Sequence, residues 1–159
     1  MISLDILLLI LIANGVPVMA CALFNQRFGL PLDMGARFFD GRPLFGPSKT
    51  LRGLLLSLPL TGIAAELIGL SFMLGLTVAL WAMLGDLLSS LIKRRLGMKP
   101  GSQALGLDQL PESLLPLLAV AGPLAISATE IMATVITFIV LELLISRVLF
   151  RLKLRKHPY

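Results

Sequence analysis

The sequence has few cysteine, histidine, aromatic and charged residues. It contains one cysteine, Cys21, and one histidine, His157, among 159 residues, with 6% aromatic and 14% charged residues. A single cysteine excludes an internal disulfide, and Cys21 lies in an apolar segment that suits helix packing. His157 is predicted to face solvent in the C-terminal tail. A charged fraction this far below the soluble average of about 25% excludes an ordinary soluble domain.

Apolar residues dominate the composition. They make up 57% of the chain, the mean hydropathy is +0.92, and several stretches approach the roughly 20 residues that a spanning helix needs. The composition therefore predicts an all-α polytopic membrane protein with a single domain covering residues 1–159. Five transmembrane helices are expected, with two large loops between them that form the site. Their approximate ranges are 2–24, 51–70, 71–92, 112–126 and 127–150.

The basic residues predict the orientation of these helices. All fourteen Lys and Arg fall within residues 27–52, 93–99 and 147–156, so five spans place them on one side. By the positive-inside rule that side is cytoplasmic, which leaves the N-terminus outside and puts the C-terminus and both large loops inside a cell membrane. The net charge of +5 is thereby concentrated where it attracts anionic headgroups and substrates. Nucleic acid is not an expected partner, since no binding module or aromatic stacking surface accompanies the charge.

One ionisable residue stands out because it ends an apolar run. Asp86 closes the third span, where a charged side chain is costly and indicates a functional site. Ser90 and Lys93 follow at spacings of four and seven residues, which places all three on one face of a helix. Such a face suits a metal ion and a phosphate together.

Two more carboxylates follow in the second loop. Asp108 and Glu112 add hard oxygen donors of the kind that magnesium uses when substrate phosphates also hold it. A structural alternative stays open on residue types alone. Asp86 would pair with Lys93 or Arg94, and the other two carboxylates would cap the fourth span near its N-terminus.

The first large loop contains basic side chains next to glycines. Within residues 31–53, Arg42, Lys49 and Arg52 offer donors suited to phosphate oxygens, and several glycines permit close backbone approach. This loop is not a Walker A motif, because the four-residue gap followed by Gly-Lys-Ser/Thr is absent.

Four ordered blocks carry a family resemblance. Together they resemble the motifs of the CDP-archaeol synthase family, small integral-membrane cytidylyltransferases related to the CDP-diacylglycerol synthases. One departure is that Pro111 occupies the second Asp position of the wider Leu-Asp-x-x-Asp pattern, with Glu112 directly after it. The blocks are ANGVPV (13–18), PLDMGARFFDGRPLFGPSKTLRG (31–53), GDLLSSLIKRRLGMKPG (85–101) and GLDQLPE (106–112).

The resemblance implies an enzyme that transfers a cytidylyl group from CTP to a membrane lipid monophosphate and releases pyrophosphate. The lipid acceptor stays open between an archaeal-type ether lipid phosphate and a phosphatidic acid. Magnesium is the implied cofactor, held by Asp86 and Asp108, with Glu112 as a candidate third carboxylate. Those two aspartates and Lys93 are the implied catalytic residues. The residues implied to bind CTP or the lipid phosphate are Lys49, Arg52, Ser90, Arg94 and Lys99.

Two alternative functions remain. A non-catalytic or transport protein would use the basic vestibule to bind anionic lipid or a phosphorylated solute, and Pro111 supports that interpretation. Transporters more often contain a repeated half with paired broken helices, which is not evident in this sequence. A CDP-alcohol phosphotransferase fits less well, because Asp40-Gly41 occurs without the Ala-Arg and the downstream aspartates of that family.

Overall fold

The computed structural model describes residues 2–24 and 27–151, which form five α-helices joined by two short turns and two long loops. The predicted all-α fold is confirmed. His157 and the basic residues beyond Arg151 lie outside the described part. The helices are α1 (Ile2–Phe24), α2 (Leu51–Leu67), α3 (Phe72–Arg95), α4 (Gln109–Leu124) and α5 (Ala128–Arg151). The long loops are loop 1, residues 27–50 as described, and loop 2, residues 96–108.

Three of the helices found in the described residues are long and apolar enough to cross a membrane. They are Ser3–Phe24, Phe72–Arg95 and Ala128–Arg151. Helices α2 and α4 have 17 and 16 residues, a rise of roughly 24–26 Å against a hydrocarbon core of about 30 Å. Crossing upright would therefore require local thinning of the bilayer around these two helices.

Helix α4 begins earlier than the sequence suggested. The prediction opened this span near Glu112, whereas α4 starts at Gln109 and includes Pro111 in its first turn. The physical reason is that the first four N–H groups of a helix have no partner within it, so a proline in the first turn removes no helical hydrogen bond.

A proline inside α1 is accommodated by α2. Pro17 cannot donate the hydrogen bond that the Ala13 carbonyl would otherwise accept from it. The hydroxyl of Ser57 donates to that carbonyl instead, at 2.8 Å. A Cβ on Gly53 would lie 3.0 Å from the Pro17 ring, so this glycine lets the two helices approach. The Ser57 hydroxyl therefore satisfies the backbone carbonyl that Pro17 leaves without a helical donor.

Small residues also bring α2 and α3 together. A Cβ added to Gly75 would lie 2.6 Å from the Thr61 carbonyl oxygen and 2.8 Å from the Cα of Gly62. The turn between these helices uses Gly69 at φ +82°, with the Leu70 amide donating back to the Ala65 carbonyl at 2.9 Å. Tight packing of α2 on α3 thereby fixes where the start of α2 lies relative to the end of α3. The largest apolar side chains of the core are Ile6, Leu9, Ile10, Val78, Leu117, Val120 and Phe138.

Candidate functional site

Loop 1 closes over the C-terminal end of α3. The Arg42 guanidinium donates from Nη1 to the Arg95 carbonyl at 2.5 Å and to the Arg94 carbonyl at 3.4 Å, and these carbonyls belong to the last turn of the helix. Arg95 in turn pairs with Asp40 at 2.7 Å. Arg42 was predicted as a phosphate donor, but in this structure it caps α3. The Asp40-Gly41-Arg42 motif therefore holds loop 1 against α3.

A buried carboxylate organises the rest of loop 1. Asp33 accepts hydrogen bonds from the amides of Gly46 at 2.8 Å, Phe45 at 3.0 Å and Gly35 at 3.1 Å. Burial raises the pKa of Asp33, but these backbone donors outweigh it, so the pKa lies below its ordinary value. Asp33 is therefore a carboxylate at neutral pH, and it fixes the loop segment that leads to Lys49.

Lys49 meets Asp86 at the start of α2. Its Nζ lies 2.5 Å from both carboxylate oxygens, and each side chain is 22% exposed. The structural alternative drawn from residue types had paired Asp86 with Lys93 or Arg94. That pairing is wrong, because the packing of α2 on α3 places Lys49 in contact with Asp86. A cation from loop 1 and a carboxylate from α3 thus share one partly open position.

A second lysine and aspartate pair lies beside the first. Lys93 Nζ is 2.5 Å from Asp108 Oδ1 and donates to the Ser102 carbonyl at 2.9 Å. The other oxygen of Asp108 accepts from the Ala104 amide at 2.8 Å. Asp108 occupies the N-cap position of α4, yet its side chain makes no capping hydrogen bond. The capping role that the alternative gave to the Asp108 side chain is therefore wrong.

A backbone contact holds the two pairs close together. A Cβ on Gly85 would lie 2.3 Å from the Pro111 carbonyl oxygen and 2.6 Å from the Glu112 amide nitrogen. No side chain fits there, so only glycine allows α3 to touch the first turn of α4. Asp86, the next residue on α3, is thereby placed beside that turn.

Glu112 lies inside this junction. Only 7% of its surface is exposed, although it belongs to the first turn of α4. Burying a carboxylate costs more than the roughly 0.3–2 kcal/mol that a helix N-terminus returns, so burial of Glu112 favours a role in the site. The charged groups that interact electrostatically with Glu112 are Asp86, Glu142, Lys49 and Asp108.

Glu142, which comes from α5, was not among the site residues predicted from the sequence. Its Oε2 accepts a hydrogen bond from the side-chain amide of Gln109 at 2.8 Å. Gln109 Oε1 accepts in turn from the backbone amide of Gly106 at 2.8 Å. Gln109 is 1% exposed. Glu142 therefore ties the turn that carries Asp108 to α5. A carboxylate inside an apolar helix was the signal available for it, as it was for Asp86.

Arg94 is the side chain whose surroundings best suit the binding of an anion. It is 3% exposed, and its Nη2 donates to the Lys99 carbonyl at 3.0 Å, while its Nε and Nη1 are buried without an acceptor in the described structure. Buried N–H groups of a charged side chain are costly when unpaired. A guanidinium with two N–H donors that have no acceptor is suited to bind a phosphate group.

The other predicted binding residues lie in different environments. Ser90 is buried on α3, one turn after Asp86, and Lys99 is exposed in loop 2. Arg52 points toward the C-terminal end of α1, where its Cζ lies 5.7 Å from the centre of the Phe24 ring, and its Nη1 donates to the Arg27 carbonyl at the start of loop 1. The structure thus brings the Lys49, Asp86, Lys93 and Asp108 side chains together, and it places Arg52 on a neighbouring surface.

The carboxylates suit a hard cation. In the described ranges no three His, Cys, Asp or Glu residues are arranged to hold a metal ion by themselves. Magnesium commonly binds one or two protein carboxylates together with substrate phosphates, so a complete protein cage is not required. Asp86 and Asp108, with Glu112 interacting with both, provide donors of that chemistry.

Fold and site together define a helical membrane protein whose carboxylates and cations, some buried and some partly buried, lie together at the end where loops 1 and 2 meet. Comparison with known proteins identifies the class further. A family model described as CarS-like CDP-archaeol synthase matches residues 60–159. The CDP-archaeol synthase of Sulfurisphaera tokodaii is 36% identical over 155 residues, covering 94% of this chain and 90% of that protein. The CDP-archaeol synthase of Saccharolobus solfataricus is 40% identical over 120 residues, 69% of each chain.

A solved structure agrees with these relatives. It was described as an intramembrane enzyme for archaeal membrane lipid biosynthesis, and it is similar with a TM-score of 0.68 and 30% identity over 85% of this chain and 89% of its own. The chain belongs to the CDP-archaeol synthase family. It is therefore an integral-membrane enzyme of the CTP-dependent cytidylyltransferase class, which confirms the resemblance drawn from the sequence.

Proposed function

We propose that this enzyme transfers the cytidylyl group of CTP to an archaeal-type ether lipid phosphate, for phospholipid biosynthesis. The names of its relatives and the description of its structural neighbour support that acceptor. The single observation that carries the proposal is Arg94, a buried guanidinium with two donors left for phosphate oxygens beside two carboxylate and lysine pairs.

The reaction requires charge placement more than covalent catalysis. A phosphate oxygen of the lipid attacks the α-phosphorus of CTP and forms a new P–O bond. The bond between that phosphorus and the bridging oxygen to the β-phosphate breaks, and its electron pair leaves with pyrophosphate. Negative charge grows on the leaving oxygens, so positioned cations supply most of the stabilisation.

Each cation has a place in this scheme. Arg94 and Lys93 hold the phosphates of CTP from α3, Ser90 adds a hydroxyl donor, and Lys99 supplies charge at the rim of loop 2. Lys49 comes from the end of loop 1 and contacts Asp86, where it would bind the phosphate of the entering lipid.

Magnesium is the proposed cofactor. Asp86 and Asp108 would hold it, with Glu112 as the candidate third carboxylate. Bound there, it would neutralise charge on the phosphate oxygens of CTP. The requirement is measured by titrating magnesium against cytidylyl transfer, and full activity in the presence of a strong chelator would overturn it.

The test of function is a direct assay. Purified protein with labelled CTP, magnesium and an ether lipid phosphate should form labelled CDP-lipid, and a phosphatidic acid arm measures acceptor preference. Arg94→Gln should lower kcat/KM for CTP about 10- to 100-fold, the loss expected for one charged hydrogen bond. Arg37→Gln is the control, because Arg37 is exposed and donates to the Gly41 carbonyl in loop 1.

Two results would contradict these proposals. Phosphate-dependent lipid binding by folded wild-type protein, without transfer to any acceptor, would favour the non-catalytic alternative. Unchanged CTP kinetics in Arg94→Gln would remove Arg94 from the nucleotide site.

We propose that the site faces the cytoplasm of a cell membrane. Arg42 of loop 1 donates to the last turn of α3, and a Cβ on Gly46 of loop 1 would lie 3.4 Å from the Pro100 side chain of loop 2, so the two loops share one side. The three basic groups favour the cytoplasm for that side. A reporter fused after Tyr159 should behave as cytoplasmic and one inserted at Ser127 as external. Matching sides for the two reporters would overturn this topology.

A further inference from the structure

Two consecutive hydrogen bonds run from α5 to residues 104–108, the turn that leads into α4. Glu142 Oε2 accepts from the side-chain amide of Gln109 at 2.8 Å, and Gln109 Oε1 accepts from the backbone amide of Gly106 at 2.8 Å. We call residues 104–108 the 104–108 turn. The carboxylate of Glu142 is thereby connected to the backbone of a turn that its own helix does not contain.

The 104–108 turn sets the direction of the Asp108 carboxylate. Oδ2 of Asp108 accepts from the Ala104 amide at 2.8 Å, and the Asp108 amide donates back to the Ala104 carbonyl at 3.0 Å. Oδ1 faces Lys93 at 2.5 Å. Because the carboxylate is held through the backbone at Ala104, a shift of the turn would also move the oxygens proposed to bind magnesium.

Gln109 can transmit this constraint in only one orientation. An ionised carboxylate only accepts and a backbone amide only donates, so Nε2 must face Glu142 and Oε1 must face Gly106. The Gln109 side chain is 1% exposed. Without the carboxylate, Nε2 would become a buried donor without its acceptor, which is costly and favours rotation of the side chain. Gly106 would then lose its acceptor as well.

Glu142 lies on a helix that stays away from the other site residues. Among the described helices, α5 packs on α4 and α1 but not on α3, which carries Asp86 and Lys93. A carboxylate within an apolar spanning helix is costly and indicates a function. The hydrogen bond to Gln109 supplies such a function without contact between α5 and α3.

We infer that Glu142 is a positioning residue for the magnesium site: through Gln109 it holds the 104–108 turn, and with it the Asp108 carboxylate, in the geometry that binds the metal. The inference rests on the proposed function. Groups that orient metal ligands commonly change metal affinity or activity 10- to 100-fold when they are lost. Since Glu142 acts by accepting a hydrogen bond, an uncharged acceptor of the same size should replace it, whereas a direct magnesium ligand would need its charge.

Two substitutions of Glu142 separate these roles. Glu142→Ala removes the acceptor and should raise the magnesium concentration for half-maximal transfer about 10- to 100-fold, with excess magnesium restoring most of kcat. Glu142→Gln keeps an oxygen that can accept from Gln109 and should stay within about threefold of wild type. An unchanged magnesium requirement in Glu142→Ala, or an equal rise in both variants, would overturn the inference.

Thr134→Ala is the matched control for these substitutions. Thr134 is also a polar residue of α5, 5% exposed and about two turns earlier along the helix. Its loss should leave the magnesium requirement at the wild-type value, whatever the change in Tm. This control separates positioning of the turn from a general loss of stability in α5.

An exchange of the two side chains tests the same contact without a truncation. Gln109→Glu alone places two carboxylates at hydrogen-bond distance, where like charges repel, and should raise the magnesium requirement about tenfold or more. In the double variant Gln109→Glu/Glu142→Gln, the introduced carboxylate can accept from both Gly106 and the introduced amide. The double variant should therefore return to within about threefold of wild type. A double variant no better than Gln109→Glu would contradict the inference.

Hydrogen–deuterium exchange measures the turn without metal, nucleotide or turnover. In the full-length protein, the Ala104 and Gly106 amides should exchange about tenfold faster in Glu142→Ala than in wild type, and at the wild-type rate in Glu142→Gln and Thr134→Ala. Unchanged exchange in Glu142→Ala would overturn the inference. Faster exchange in that variant, with no cytidylyl transfer by the wild-type protein, would leave the positioning of the turn standing and refute the proposed function.

Discussion

Asp86→Asn is expected to lower the rate of cytidylyl transfer about a hundredfold or more while the protein stays folded. The amide keeps the shape of the carboxylate but removes its charge, so a proposed magnesium ligand is lost and Lys49 loses its partner. The measurement is kcat at saturating CTP and lipid, with excess magnesium recovering part of the loss. Thermal stabilisation by magnesium with CTP should shrink in parallel.

The control for this change is Asp40→Asn. Asp40 also forms an ion pair, with Arg95, but its side chain is 38% exposed, and exposed ion pairs contribute little to stability. Arg95 also keeps its hydrogen bond to the Pro43 carbonyl of loop 1, so the loss of Asp40 should leave transfer near normal. Glu112→Gln belongs in the same magnesium titration, where a raised requirement would support its place as the third carboxylate. Full activity in Asp86→Asn would reduce Asp86 to a structural partner of Lys49.

The parts of the fold that depend on local sequence could be predicted. Long apolar runs are sufficient to indicate spanning helices, and the basic groups indicate which helix ends lie together. The capping box at the start of α5 is an example: the Ser127 amide donates to Glu130 at 2.9 Å, and the Glu130 amide donates back to the Ser127 hydroxyl at 3.3 Å. Both partners lie within four residues, so a short motif contains the whole interaction.

The pairing of charges in the site could not be predicted in this way. Lys49 and Asp86 are 37 residues apart, and their contact depends on how closely α2 packs on α3. Spacing along α3 placed Lys93 on the same face as Asp86, but Lys93 instead meets Asp108 from loop 2. Residue types identify which groups can pair, whereas the choice among several lysines and carboxylates is made by tertiary packing.

Gly85 shows the same limit for the backbone. From the sequence it is one of fourteen glycines, and it follows an apolar run without any turn signal. Its role arises only when the first turn of α4 approaches, since that contact leaves no room for a Cβ. The Gly-Asp motif is therefore explained by two different requirements, close approach at Gly85 and chemistry at Asp86.

Gly85→Ala should lower the rate of cytidylyl transfer about a hundredfold in protein that remains folded. Its Cβ would lie 2.3 Å from the Pro111 carbonyl oxygen, so the first turn of α4 must move away from α3. Asp108 and Glu112 move with that turn relative to Asp86, and a misplacement of about 1 Å is sufficient for a rate loss of this size. The measurement is kcat per folded molecule, with the folded fraction taken from the monodisperse peak in detergent.

Two glycine variants separate misplacement from simple loss of stability. Gly75→Ala creates a similar collision, 2.6 Å from the Thr61 carbonyl oxygen, but between α2 and α3 and away from the carboxylates. It should lower Tm with a smaller effect on kcat per folded molecule. Gly122→Ala meets no atom within 4 Å and should change neither quantity appreciably. If Gly85→Ala and Gly75→Ala lost activity only in proportion to their lost stability, the contact at Pro111 would hold the fold together without setting the geometry of the site.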